Sequence, residues 1–194
     1  MFDLGSEIDR SDERVLWEQR YQAEGRRVTQ PAASIVDALD ALDVEPGRAL
    51  DVAGGAGRHA IWLAGRGWNV SLADGAPTAL RLAGEDAAAE GVEIETTCID
   101  LETEPLPAGP WDLVVIHHYL NRPLLASVAG VMAPGGYLVF AQPTVLNPAD
   151  RPGPAHLVGI GETATLVPGL EIVSLVEGET EGRHEVMLVA RKPV

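Results

Sequence analysis

The eleven residues LDVAGGAGRHA, from Leu50 to Ala60, constrain the fold more than any other stretch of the chain. Arg48 to Val52 reads as a short apolar strand, AGGAG as a tight turn, and Arg58 to Ala64 as a helix stopped by Gly65 and Gly67. Small residues at 53, 54, 55 and 57 let a backbone approach a ligand closely. A helix beginning there offers unpaired N–H groups and partial positive charge to a carboxylate or phosphate. Asp51 ends the strand before the turn, and Asp74, nineteen residues after Gly55, ends the next one. An acid at that spacing can accept hydrogen bonds from both hydroxyls of a ribose.

The same alternation of elements runs through the chain. Residues 11 to 24 read as a helix with Trp17, Arg20 and Tyr21 on one face, and a second helix follows Pro31 with Ile35, Val36, Leu39 and Leu42 as its apolar stripe. Asn69 to Ala73 predicts a strand, and Pro77 suits the start of a helix that turns Leu80, Ala83 and Ala87 inward. Strands are expected from Glu93 to Ile99 and Leu113 to Ile116, then a helix carrying Leu124, Leu125, Val128, Val131 and Met132. Pro134-Gly135-Gly136 should turn into a fifth strand, Tyr137 to Ala141. Gln142 to Ala155 holds four prolines and reads as a lid or site wall. Ile172 to Val176 and His184 to Ala190 predict an antiparallel hairpin whose acidic tip, Glu177, Glu179 and Glu181, faces solvent. The sum is an α/β layered fold.

Composition excludes several functions. The formal charge of −15, from 14 basic and 29 acidic residues, repels nucleic acid and anionic membranes. Lys192 is the only lysine, which removes lysine-based Schiff-base or proton-relay chemistry from the body of the chain. Cys98 is the only cysteine, so neither an intramolecular disulfide nor a thiolate zinc site is available, and a reducing cytoplasm is expected. The acidic start, MFDLGSEIDRSDER, lacks the pattern of a secretory signal. The uncharged run from Pro123 is broken by Pro134, Gly135, Gly136 and Pro143, which argues against a membrane helix.

GAGRHA, residues 55 to 60, also satisfies a dinucleotide-binding fingerprint, which leaves a nicotinamide oxidoreductase as an alternative. Two acids weigh against it: Asp51 could hold an amino group, and Asp100 ends the third strand where an adenine would lie. A short-chain oxidoreductase also needs lysine four residues after its tyrosine, and Pro123 follows Tyr119 at that distance. DVAGGAG resembles the first motif of the class I S-adenosylmethionine-dependent methyltransferases, with Ala53 where many members have glycine. GRHAIWLAGRGWNVSLAD is similar to the tellurite-resistance-like subgroup, with His59 at a usual asparagine, and WEQRY at 17–21 matches a segment that precedes its core. CIDLETEPLPAGPWDLVVIHHYLNRPLL and MAPGGYLVFAQPT look like later motifs of the same family.

The resemblance implies a Rossmann-like class I methyltransferase sandwich: a mostly parallel seven-stranded sheet, helices on both faces and a C-terminal antiparallel hairpin. It would be a single domain over 1–194, with a helical cap at 1–45 and the core at 46–194. Implied at the cofactor are Asp51, Ala53, Gly55 and Gly57 around the methionine part, Asp74 at the ribose, and Asp100 and Leu101 at the adenine, with Gly54, Arg58 and Gly75 beside them. Trp17, Arg20, Tyr21 and His117 join that set. S-adenosyl-L-methionine would donate a methyl group to a small-molecule nucleophile and leave S-adenosyl-L-homocysteine, in a cytoplasmic monomer or homodimer. A cofactor-binding protein without catalysis is the other alternative. His118, His117 and Tyr119 follow the fourth strand at the rim where open α/β sheets bind ligands, with His118 the first choice for a general base. Alternation along a strand would bury one histidine and leave the other in solvent, and no metal site is expected.

Overall fold

A computed structural model describes residues 11–25, 28–147, 156–180 and 182–194. In chain order the elements are α1 (Ser11–Glu24), α2 (Ala33–Asp40), β1 (Arg48–Val52), α3 (Arg58–Ala64), β2 (Asn69–Asp74), α4 (Pro77–Ala89) and β3 (Glu95–Cys98). They continue with β4 (Trp111–His117), α5 (Arg122–Ser127), β5 (Met132–Pro143), β6 (Glu171–Thr180) and β7 (Arg183–Arg191). The strands form one seven-stranded sheet in the order β3-β2-β1-β4-β5-β7-β6. All pairs from β3 to β5 are parallel, and β7 runs antiparallel between β5 and β6.

Period-two alternation in the central strands divides the core. Ala49, Leu113, Val115, Val139 and Ala141 pack under α2, α3 and α4 against Ile35, Ala60, Leu63, Leu80 and Ala83. Leu50, Val52, Val114, Ile116, Leu138 and Phe140 face the opposite layer with Leu124 and Leu125 of α5. Burial on both faces explains why β1 and β4 read as continuous apolar runs. Asn121 caps α5 by accepting from Leu124 N, a contact worth about 0.5–2 kcal/mol.

Several boundaries differ from expectation. The helix expected through Met132 is α5 followed by a 3₁₀ turn, Val128–Gly130. Pro134-Gly135-Gly136 lies within β5 as an irregularity: Trp111 pairs with Met132, but Leu113 pairs with Tyr137. Gly135 N donates to Lys192 O and Lys192 N to Gly136 O, so the end of the chain satisfies backbone that the bulge frees. β3 is shorter than expected and exposed along its length because it is the sheet edge. The hairpin is longer than expected; Glu177 and Glu179 belong to β6 and Glu177 accepts from Gly161 N, so they are not a free loop tip. Glu181 and most of the proline-rich stretch, residues 148–155, lie outside the described residues. Among the described residues, no helix is long and apolar enough to cross a membrane.

Candidate functional site

β1 lies between β2 and β4, where the strand order reverses, and this is where open α/β sheets form a crevice at their carboxyl ends. From Val52 the chain must turn into α3 within five residues, and it does so with Ala53, Gly55 and Gly57 at φ of +53°, +57° and +80°. Ala53 therefore adopts a conformation that glycine accepts without strain, which gives a physical reason for glycine at the equivalent place in the motif. The glycines are further required by their neighbours. A Cβ on Gly54 would strike Asp51 and Leu72, and one on Gly55 would strike the Tyr21 hydroxyl. Gly57 packs on Ala83 and Leu72 and starts the helix, so it lies behind the cleft rather than in its wall.

The acids are held by this backbone. Ala60 N donates to Oδ2 of Asp51 over 3.1 Å, while Oδ1 of Asp51 is fully buried without a partner. Burial, reinforced by the Asp74 charge, pushes the Asp51 carboxyl up to about 7 against the Ala60 hydrogen bond and Arg58. Asp74 accepts from Gly55 N and Ala76 N, each over 2.8 Å. Its burial still raises its carboxyl above the ordinary range. Asp100 accepts from Glu102 N over 3.1 Å at the end of β3.

A cavity of about 300 Å³ joins these residues to the end of β4. Asp51, Ala53, Gly54, Gly55, Arg58, Asp74 and Gly75 line one side, Asp100 and Leu101 the next, and His117, His118 and Tyr119 the far side. α1 supplies part of the lining. Glu18 accepts from Thr78 N and Oγ1 over 2.9 and 2.6 Å, which docks α1 on the start of α4 and brings Trp17 and Tyr21 to the cavity. Arg20 is exposed, stacked 5.0 Å from the Trp17 ring and outside the cavity wall. The expected face of α1 thus supplies its two aromatics but not its arginine.

The two histidines do not obey strand alternation. His118 has a φ of +58°, which ends the strand geometry and folds its ring over His117, with centroids 3.8 Å apart and planes 27° from parallel. Both rings line the cavity, His117 half-buried and His118 exposed at its rim. A guanidinium only donates, so the 3.0 Å contact between Arg58 and Nδ1 of His117 makes that nitrogen the acceptor and leaves the ring proton on Nε2. Burial holds His117 far below the usual imidazole range, with the neighbouring His118, His59, Arg58 and Arg183 adding to the effect. Nε2 of His118 lies 2.8 Å from Oε1 of Glu185. Tyr119 donates to Glu102, and Asn121 donates to the other oxygen of the same carboxylate and to Leu101 O.

Sequence reasoning missed His59, Glu102 and Glu185, along with Glu13, Arg14 and Val28 from α1 and the segment after it. His59 stood inside the motif: Ala32 N donates to its Nε2 over 3.3 Å, and burial lowers it to about 3, so it is a neutral tie between α3 and the start of α2. Glu102 is two residues beyond Asp100. Glu185 has no local signal. His156, in the proline-rich part, pairs with Glu13 over 2.9 Å and so fastens that segment to α1. Among the described residues, no group of three or more His, Cys, Asp or Glu is placed to hold a metal ion.

Residues 49–136 match the family model described as a methyltransferase domain. No curated protein matches the sequence. Among solved structures, TehB from Haemophilus influenzae is 20% identical with a TM-score of 0.72, over 90% of this chain and 67% of that one. The structure titled for conversion of a disulfide bond into a thioacetal group during echinomycin biosynthesis is 19% identical with a TM-score of 0.75, over 93% of both chains. The N-methyltransferase NodS from Bradyrhizobium japonicum WM9, in complex with S-adenosyl-L-homocysteine, is 19% identical with a TM-score of 0.68, over 92% of this chain and 99% of that one.

Proposed function

We propose that the chain, which carries a methyltransferase-domain match over residues 49–136 and a TehB-like fold, is a class I S-adenosylmethionine-dependent methyltransferase that methylates a small-molecule nucleophile held between α1 and the end of β4, with His118 as base. In this reading its cofactor is S-adenosyl-L-methionine, whose demethylated product occupies the structurally similar NodS. When bound, the cofactor supplies an electrophilic methyl on a sulfonium sulfur. The residues present fit it. The buried, unpartnered Oδ1 of Asp51 suits an ammonium group, and the open end of the glycine turn suits the adjoining carboxylate. Asp74, which lines the cavity, would hold the ribose, and Asp100 with Leu101 would hold the adenine.

The observation that carries the small-molecule reading is the single cavity of about 300 Å³ shared by the glycine turn, the acids and the histidine pair. It is at the small end of ligand pockets, and α1 supplies part of its lining. The net charge of −15 opposes nucleic acid. The residues of this chain position the acceptor, keep water from the reacting atoms and take up the acceptor's proton. Orientation of this kind is worth about 7–11 kcal/mol.

Calorimetric titration with S-adenosyl-L-homocysteine, NADH and NADPH, alongside Asp74→Ala, tests the reading. Stoichiometric binding of S-adenosyl-L-homocysteine alone, weakened by the substitution, supports it. Turnover is then sought with small thiols, amines, hydroxyls and chalcogen oxyanions. Preference for a nicotinamide cofactor, or methylation confined to macromolecules, overturns it.

A further inference from the structure

β7 is antiparallel to β5, so its first residues return to the edge of the sheet where the parallel strands end: Glu185 pairs with Pro143, and Met187 with Ala141. This carries Glu185 to His118 across 67 residues of sequence. The Glu185 side chain is 10% exposed and that of His118 is 30% exposed. An ionised carboxylate only accepts hydrogen bonds, which places the ring proton of neutral His118 on Nε2 and its lone pair on Nδ1. His117 carries its proton on Nε2 as well, since Arg58 donates to its Nδ1. The two stacked rings are therefore both held as the Nε2–H tautomer, His117 by a donor on Nδ1 and His118 by an acceptor on Nε2.

The geometry points to Glu185 as the positioning residue that keeps His118 in the Nε2–H tautomer, ready to take a proton at Nδ1 from an acceptor whose nucleophilic oxygen or sulfur still carries one. The acceptor class that follows is a hydroxyl, phenol or thiol. This rests on His118 being the base. As a lone pair of the acceptor forms the bond to the methyl carbon, the carbon–sulfur bond breaks and the sulfonium sulfur keeps its electron pair. The acceptor's proton passes to Nδ1, and the resulting imidazolium keeps its Nε2–H on the Glu185 carboxylate until solvent removes the extra proton. The other charged or titratable groups around the ring are His117 on β4, Arg58 and His59 on α3, and Arg183 on β7. Glu185 is the acid hydrogen-bonded to His118.

Long-range proton–nitrogen NMR of the full-length protein with labelled histidine reads the tautomer without needing an acceptor. His118 is expected as Nε2–H in the wild type, as a mixture of tautomers in Glu185→Ala, and largely restored in Glu185→Asp. With 2-mercaptoethanol and catechol as probes, Glu185→Ala should lower kcat about tenfold or more at an unchanged KM, and Glu185→Asp should recover part of it. Methylation of iodide, which has no proton to lose, should stay within about twofold. Unfolding curves show that each variant compared is folded. A wild-type His118 protonated on Nδ1, or equal slowing of iodide and thiol, overturns the proposal. Full turnover of the thiol in His118→Ala removes the base reading itself. Loss of thiol turnover in His118→Ala, beside an unaffected Glu185→Ala, removes only Glu185.

Discussion

The two ends of the cleft are built by different means. At the β1–β2 end, backbone N–H groups of Gly55, Ala60 and Ala76 hold the carboxylates of Asp51 and Asp74, all within residues 51 to 76. At the β4–β7 end, side chains hold side chains: Arg58 on His117, Glu185 on His118, Glu102 on Tyr119. The first arrangement depends on where the main chain can go and leaves little freedom of residue type. The second depends on which strands become neighbours. The glycine-turn end is consequently a local motif, and the histidine end is assembled from distant segments.

Substitutions should separate the two ends. The largest effect is expected from Gly54→Val, whose side chain collides with Asp51 and Leu72. It should abolish S-adenosyl-L-homocysteine binding by calorimetry and cost about 1–3 kcal/mol in denaturant unfolding. His118→Ala should instead leave that binding within about twofold while lowering kcat for a protic acceptor by about 10²-fold or more, which steady-state kinetics will measure. Equal damage to binding and turnover would mean that the two ends are one energetic unit.

Asp51 gives an intermediate effect with a defined sign. In the free protein its carboxyl is raised to about 7, so below that pH it is mostly protonated, whereas an ammonium ligand prefers the carboxylate. Binding of S-adenosyl-L-homocysteine should therefore release a proton, and affinity should rise by up to about tenfold per pH unit between pH 5 and 7 before levelling off. Titrations in buffers of different ionisation enthalpy will count the proton, and Asp51→Asn should abolish the dependence. The smallest effect is expected from Arg20→Ala. Because Arg20 stacks on an exposed part of Trp17 outside the cavity, both binding and kcat should stay within about twofold.

The contrast also explains what could be read from the sequence. The α3 boundaries, the sheet with its C-terminal hairpin and the positions of Asp51, Asp74 and Asp100 were legible because turn chemistry and apolar periodicity act over a few residues. Arg20 was misplaced because helical spacing identifies a face without fixing its rotation on α4. The placement of both histidines at the rim was legible from the end of the fourth strand, but their stacking was not, because it depends on the φ of +58° at His118 that ends the strand. Gly57 belongs to the motif, yet its role is packing on Ala83. Nothing near Glu185 indicates that β7 inserts beside β5; only long-range strand pairing does so.

The position of β7 between β5 and β6 bears on how the molecule is made. Gly55 leaves the ribosome 130 residues ahead of Glu185, and β5 and β6 both precede the strand that joins them. Until β7 arrives, the backbone groups of β5 that face it, along Tyr137 to Pro143, have no strand to pair with, and the nascent chain carries an open apolar edge. β7, made after both its neighbours, therefore closes an aggregation-prone seam of the sheet in the same movement that delivers a carboxylate to His118.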